Sequence, residues 1–279
     1  MSARKIGVLF LSAGGVLLVS LVIGCREKAA SQDAAEIIQR AIGREVGKKP
    51  ADLSEEDLLT ITKLQLGSAP IVDLKPLEKL RNLKELDLFE VPVSDLTPLA
   101  CLEKLEVLGL AGTKVSDLGP LRGLTNLRVL DISFTPVSDL TPLMDLKNLT
   151  GLTLVRTRVR DLAPVAGLTR LRGLDLLHTS VSDLGPLKGL ENLESLHLTG
   201  TLVSDLTPIK GLKNLEWLFL EDTLVLDLEP VRYLVNLEKL RLDNTRVINL
   251  DPLRDLPNLR EVTLVGTPAA AKGLSWPLQ

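Results

Sequence analysis

Nine prolines stand 22 residues apart without a slip: Pro76, Pro98, Pro120, Pro142, Pro164, Pro186, Pro208, Pro230 and Pro252. The chain around them repeats in step. Residues 105–126, LEVLGLAGTKVSDLGPLRGLTN, return as LRVLDISFTPVSDLTPLMDLKN from Leu127 and as LTGLTLVRTRVRDLAPVAGLTR from Leu149. The shared pattern is L-x-x-L-x-L-x-x-T-x-V-S-D-L-x-P-L-x-x-L-x-x. A unit this short cannot enclose a core by itself, so each copy must bury its leucines against its neighbours. That restricts the chain to a solenoid with one coil per repeat. Aromatic residues make up only 3% of the sequence, so Leu and Val must fill the interior, as a narrow coil requires.

Inside each unit the L-x-L pair, such as Leu86/Leu88 or Leu196/Leu198, alternates with variable residues, which is the period of a strand with leucines inward. Each coil returns to the same start, so the strands run parallel at about 4.8 Å spacing, and ten of them span about 45 Å. Across the coil, Pro suits the start of a short 3₁₀ or helical turn. Thr97, Thr141, Thr207 and Asp251 precede a Pro where an N-cap is expected, and Gly123, Gly167, Gly189 and Gly211 follow where the turn should end. The period and the leucine offsets are those of leucine-rich repeats. The expected fold is an α/β solenoid with a parallel concave sheet, short 3₁₀ or helical convex turns and a helical N-terminal cap.

The N-terminus reads as an export signal. Arg4 and Lys5 precede a mostly apolar, uncharged run, Ile6 to Ile23, which ends at Val22-Ile23-Gly24-Cys25. This stretch resembles a bacterial lipoprotein signal, with Val22 where Leu is commoner. The resemblance implies that Cys25 is acylated, becomes the mature N-terminus and anchors the chain on the extracytoplasmic side of a bacterial membrane. A run of this length could also be retained as a spanning helix, with the repeats outside in either case. The expected organisation is a signal over 1–24, a lipidated tether over 25–32, a helical cap over 33–61, repeats over 62–268 and a short tail over 269–279. In the cap, Asp33 and Glu36 resemble a capping box opening a helix through Val46, with Gly47 ending it. Ser54 opens a second helix. A solenoid needs its apolar end covered, which makes a cap the simpler role for this segment than a partner-binding helix. Trp276 is expected to fold over the last coil.

The 22-residue unit, with Val93-Ser94-Asp95-Leu96-Thr97-Pro98-Leu99 as its type segment, resembles the internalin class of bacterial leucine-rich repeats. That resemblance covers roughly 58–268 and implies protein binding through the concave sheet. This chain carries Thr where the class usually has Asn. It also continues into neither the immunoglobulin-like module nor the wall-sorting signal of internalins, so host-cell invasion is not implied.

Formal charge is −3, without the basic stripe that nucleic acid requires. With Cys25 acylated, Cys101 has no intramolecular partner and reads as an incidental thiol in a convex turn. Eight threonines in register, Thr113 to Thr267, are expected to satisfy backbone carbonyls where each strand closes rather than to bind an external surface. Eight aspartates, Asp73 to Asp227, followed by Asn249, are expected to accept backbone N–H bonds before the proline turn. Each coil offers one carboxylate in this register, too few for calcium, and neither metal nor cofactor is expected. Ser195, His197 and Asp175 form a nominal hydrolase set, but Ser195 and His197 stand nearly 7 Å apart along a strand and an open sheet offers no oxyanion hole, so no enzyme activity is expected.

Two outward columns remain. One reads Lys63, Glu85, Val107, Val129, Gly151, Gly173, Ser195, Trp217, Lys239, Glu261; the other reads Gln65, Asp87, Gly109, Asp131, Thr153, Asp175, His197, Phe219, Arg241, Thr263. Trp217 and Phe219 are expected to form a binding hot spot for a protein ligand, with His197, Lys239, Arg241 and Asp175 around them. The alternative is that they pack only against neighbouring rungs. A structural role in the cell envelope, without a dedicated concave-face ligand, is the second functional expectation.

Overall fold

Ten three-residue strands, one per coil, form one sheet ordered in sequence and parallel throughout. They are β1 (Lys63–Gln65), β2 (Glu85–Asp87), β3 (Val107–Gly109), β4 (Val129–Asp131), β5 (Gly151–Thr153), β6 (Gly173–Asp175), β7 (Ser195–His197), β8 (Trp217–Phe219), β9 (Lys239–Arg241) and β10 (Glu261–Thr263). This is a computed structural model, and it describes residues 34–276. Register follows the repeat: each residue pairs with the one 22 positions on, as Leu174 does with Leu196 and Asp175 with His197. The central leucine of each strand from β1 to β9 is 0–1% exposed, so the inward column is a continuous core.

The threonine register does what its position requires. From Thr113 to Thr267 each hydroxyl donates to the carbonyl three residues earlier, at 2.6–2.8 Å, and all eight residues are buried. Thr157→Val keeps the shape and removes one such bond. The Leu154 carbonyl still accepts from the Thr157 amide at 3.2 Å, so the expected loss is about 1 kcal/mol, read as a lower urea midpoint at unchanged slope.

The aspartate register also closes a turn, and it corrects the expected caps. Thr97, Thr141, Thr207 and Asp251 are the first residues of their 3₁₀ turns; the cap positions are Leu96, Leu140, Leu206 and Leu250, whose side chains cannot accept. The missing acceptor comes from one residue further back. Asp95 Oδ1 takes the Thr97 amide at 2.8 Å and Asp205 that of Thr207 at 2.8 Å, while Asn249 replaces the carboxylate with its own carbonyl at 2.9 Å. Leucine occupies the cap because the core needs it there. Gly123, Gly189 and Gly211 do not end their turns in the left-handed region, and a Cβ on any of them would meet open space.

Left-handed backbone occurs elsewhere, in a register of its own. Ser68, Glu90, Gly112, Phe134, Arg156, His178, Gly200, Asp222, Asn244 and Gly266 all have φ between 53° and 74°, one per coil, just after the strand. From Ser68 to Asn244 their amides donate across to the next coil, as His178 does to the Thr199 carbonyl at 2.9 Å and Gly200 to that of Glu221 at 2.8 Å. A further ladder runs along the other edge. The Asn126, Asn148, Asn192 and Asn214 side chains each donate to the backbone carbonyl 23 residues earlier, at 2.8–2.9 Å.

At the N-terminal end α1 (Ala34–Val46) lies on β1 and the first 3₁₀ turn, with Ile38 and Ile42 buried and Ile37 and Ala41 packed beside them. It ends at Gly47, φ 70°, with the Lys48 amide reaching back to the Gly43 carbonyl at 2.8 Å, the pattern of a left-handed helix stop. Asp33, the expected cap of this helix, lies outside the described residues. The second helix, α2 (Glu55–Thr60), opens on a complete capping box between Ser54 and Asp57, and Lys48 pairs with Asp57 at 2.8 Å. At the other end α3 (Pro268–Ala271) makes one turn capped by Thr267, buries Ala269, and leaves Trp276 half-buried against the core.

These carboxylates set an acid limit. Lys48, then Ser54, lowers the Asp57 carboxyl to about 2. Hydrogen bonds from Thr97, Thr141 and Thr207 hold Asp95, Asp139 and Asp205 below the usual range. Because the folded values lie below the unfolded value of about 4, these groups contribute fully above it, and their contribution is lost as pH falls towards 2. The melting temperature is expected to hold from pH 7 to 5 and to drop between pH 4 and 2, less steeply in Asp57→Asn.

Candidate binding surface

Strands β5 to β9 carry the uneven part of the outward face, because alternation leaves two residues per strand facing out while the central leucine stays inside. The column ending each strand forms a chain of contacts from β6 to β9, closed by Glu261 at the start of β10. Asp175 Oδ2 lies 3.3 Å from His197 Nδ1, the His197 and Phe219 ring centroids are 4.9 Å apart, the Arg241 guanidinium carbon stands 5.9 Å from the Phe219 centroid, and Arg241 bonds Glu261 at 3.0 Å. Phe219 is thus half-buried, with His197 and Arg241 against it. Trp217, in the other column, is 36% exposed. The two aromatics therefore differ: Phe219 is packed into a cross-rung stack, and Trp217 is the more exposed of the two.

The basic residues around the two aromatics are already engaged. Lys239 and Arg241 share Glu261, at 3.2 and 3.0 Å, and His197 faces Asp175. Charge along the strand entries is also paired across rungs: Lys63 with Glu85, Lys84 and Arg128 with Glu106, Arg172 with Glu194. The aspartates Asp87, Asp131 and Asp175, on alternate rungs, each accept the amide two residues on, at 2.9–3.0 Å. Burial raises the Asp131 carboxyl above its usual range, and the charges of Asp175 and Asp87 add to the effect against the hydrogen bonds of Ser133.

Of the nominal hydrolase set, the fold brings Asp175 and His197 together on adjacent rungs, but no hydrogen bond joins Ser195 to His197. Cys101 is half-buried in its convex turn, with its thiol 3.4 Å from the Pro98 carbonyl. Cys25, the expected lipid site, lies outside the described residues. Among the described residues no helix is long and apolar enough to cross a membrane.

One exposed patch escapes a reading that looks only at the strands. Leu202, Leu224, Leu226 and Ile248, 38–53% exposed, gather on the edge leading into the convex turns. The signal was present: Leu226 and Ile248 replace the Ser of the V-S-D-L segment.

A continuous parallel sheet, one 3₁₀ turn per coil and a capped N-terminal end define a leucine-rich-repeat solenoid. The family described as Leucine Rich repeats (2 copies) matches residues 103–143 and 169–211. The chain is internalin-like. It superposes on an internalin (InlF) of Listeria monocytogenes with a TM-score of 0.79 at 28% identity, over 86% of this chain and 74% of that one. On internalin C2 of the same organism the TM-score is 0.69 at 28% identity, over 86% of this chain and all of the other. A leucine-rich-repeat protein of Leptospira interrogans, 18% identical with a TM-score of 0.58 over 76% of this chain and 74% of that one, shares the fold. No curated protein matches the chain by sequence.

Proposed function

We propose that this protein recognises another protein through its concave face, without catalysis. The observation carrying this reading is the unevenness of that face: the exposed Trp217 stands beside the buried small residues Gly151, Gly173 and Ser195, whereas the convex turns repeat with little variation. A photo-crosslinking residue placed at Thr153 is expected to capture a partner in the native cell, and one placed at Lys188 on the convex side is not. Equal capture from both would defeat the reading. A second reading, lateral packing within the cell envelope, is favoured by the aliphatic edge patch, and it requires capture from Leu226 and none from Thr153.

The anchoring reading accompanies this one: export, cleavage at Gly24-Cys25 and acylation of Cys25 would hold the solenoid outside the cytoplasm. Cys25→Ala is expected to abolish lipid attachment and detergent partitioning; an unchanged mass and partition would exclude it.

A further inference from the structure

Beside Trp217 the outward face is cut down to backbone. Gly151 and Gly173 are buried although they occupy outward positions, and Ser195, next in the column, is 8% exposed. The result is a trough, with Val129 at one end and Trp217 at the other. Strand alternation puts Leu196 in the core and turns the Ser195 side chain into the trough, where its Oγ has no hydrogen-bond partner among the described residues. Only 8% of Ser195 is exposed, and its hydroxyl is part of what remains open to the trough, unpaired and able to donate to or accept from an arriving group.

The trough's walls give the arriving group its charge. On the strand-entry side Arg172 is taken by Glu194. On the other side run Asp131, Thr153 and Asp175, and here the pairing stops: Asp131 has no cation within ion-pair distance among the described residues, and Asp175 has only His197. Glu85, Glu106, Glu194 and Glu261 each have a lysine or arginine, whereas Glu216, beside Trp217, has none within ion-pair distance among the described residues. Partly buried carboxylates repeated on alternate rungs with no cation between them favour a positive charge brought from outside.

We propose that the trough receives an extended polypeptide segment bearing lysine or arginine, laid across the strands with its cationic head over Asp131 and Asp175 and its backbone against Gly151, Gly173 and the Ser195 hydroxyl. This rests on recognition through the concave face. The glycines allow the close backbone approach. The two rung spacings from Gly151 to Ser195 cover about 10 Å, which roughly three extended residues fill. Trp217 closes the end of the trough as an apolar wall.

The test titrates the full-length protein in detergent with two fluorescent dodecapeptides, one alternating lysine and serine, the other glutamate and serine. The lysine peptide is expected to bind at least tenfold tighter. Gly151→Val fills the trough at little structural cost, since the new Cβ meets only the Val129 methyls at 3.7 and 3.8 Å. It should melt no lower than the parent while binding the lysine peptide at least tenfold more weakly. Asp131→Asn with Asp175→Asn, which keeps the Oδ1 acceptors, should weaken it to the same degree. No binding of the lysine peptide, equal binding of the two peptides, or undiminished binding in both variants overturns the inference. Crosslinking from Thr153 is read separately, so its success alongside any of these results would leave concave-face recognition standing and remove only the basic partner.

Discussion

Gly200→Val is expected to lower stability by about 2–3 kcal/mol, although the position is partly exposed and on the rim of the sheet. Gly200 sits in the left-handed register at φ 69°, where a β-branched residue is strained in any surroundings. The backbone is held there by the hydrogen bond its amide donates to the Glu221 carbonyl, so it cannot relax without breaking a contact between coils. A Cβ would also overlap the imidazole of His178, the same position one coil earlier. The two causes separate in a double-mutant cycle: in a His178→Ala background only the backbone part, about 1–2 kcal/mol, should remain. Melting temperature and urea midpoint both report it. A Gly200→Val protein as stable as the parent would mean that this register is free to relax.

Trp217→Ala is expected to weaken partner binding at least thirtyfold, the equivalent of about 2 kcal/mol for an exposed aromatic anchor, with the fold unaltered. Trp217 is 36% exposed and outside the leucine core, so its circular dichroism spectrum and melting temperature should match the parent's. Phe219→Ala is a different experiment. Its ring lies between His197 and Arg241, and removing it opens a gap in a packed stack, so stability and binding should fall together. Retained affinity in Trp217→Ala would move the site away from this strand.

The repeat made the columns legible, because a 22-residue period places residue i beside residue i+22 whatever the side chains are; Asp175 beside His197 and Trp217 beside Lys239 follow from counting alone. Counting does not say what a side chain does once its neighbours are present. Phe219 and Trp217 look equivalent along the chain, and they part only because His197 and Arg241 stand one rung either side of Phe219, with Ser195 and Lys239 beside Trp217. The cations around them look like an invitation to acid until Glu261, one rung further, is seen to take both.

The turns divide in the same way. Sequence by itself determined the solenoid, the inward leucines and the roles of the threonine and aspartate registers, since each of those is a local need repeated at a constant period. Tertiary structure alone decided that Leu96 rather than Thr97 occupies the cap position, and that the left-handed residue follows the strand, where Phe134 and Arg156 are held as Gly112 is. The physical reason is that bonds between coils hold the backbone there, as the Phe134 amide is held by the Val155 carbonyl at 2.7 Å. Where the next coil dictates the geometry, a residue's own preference for it leaves no mark in the chain.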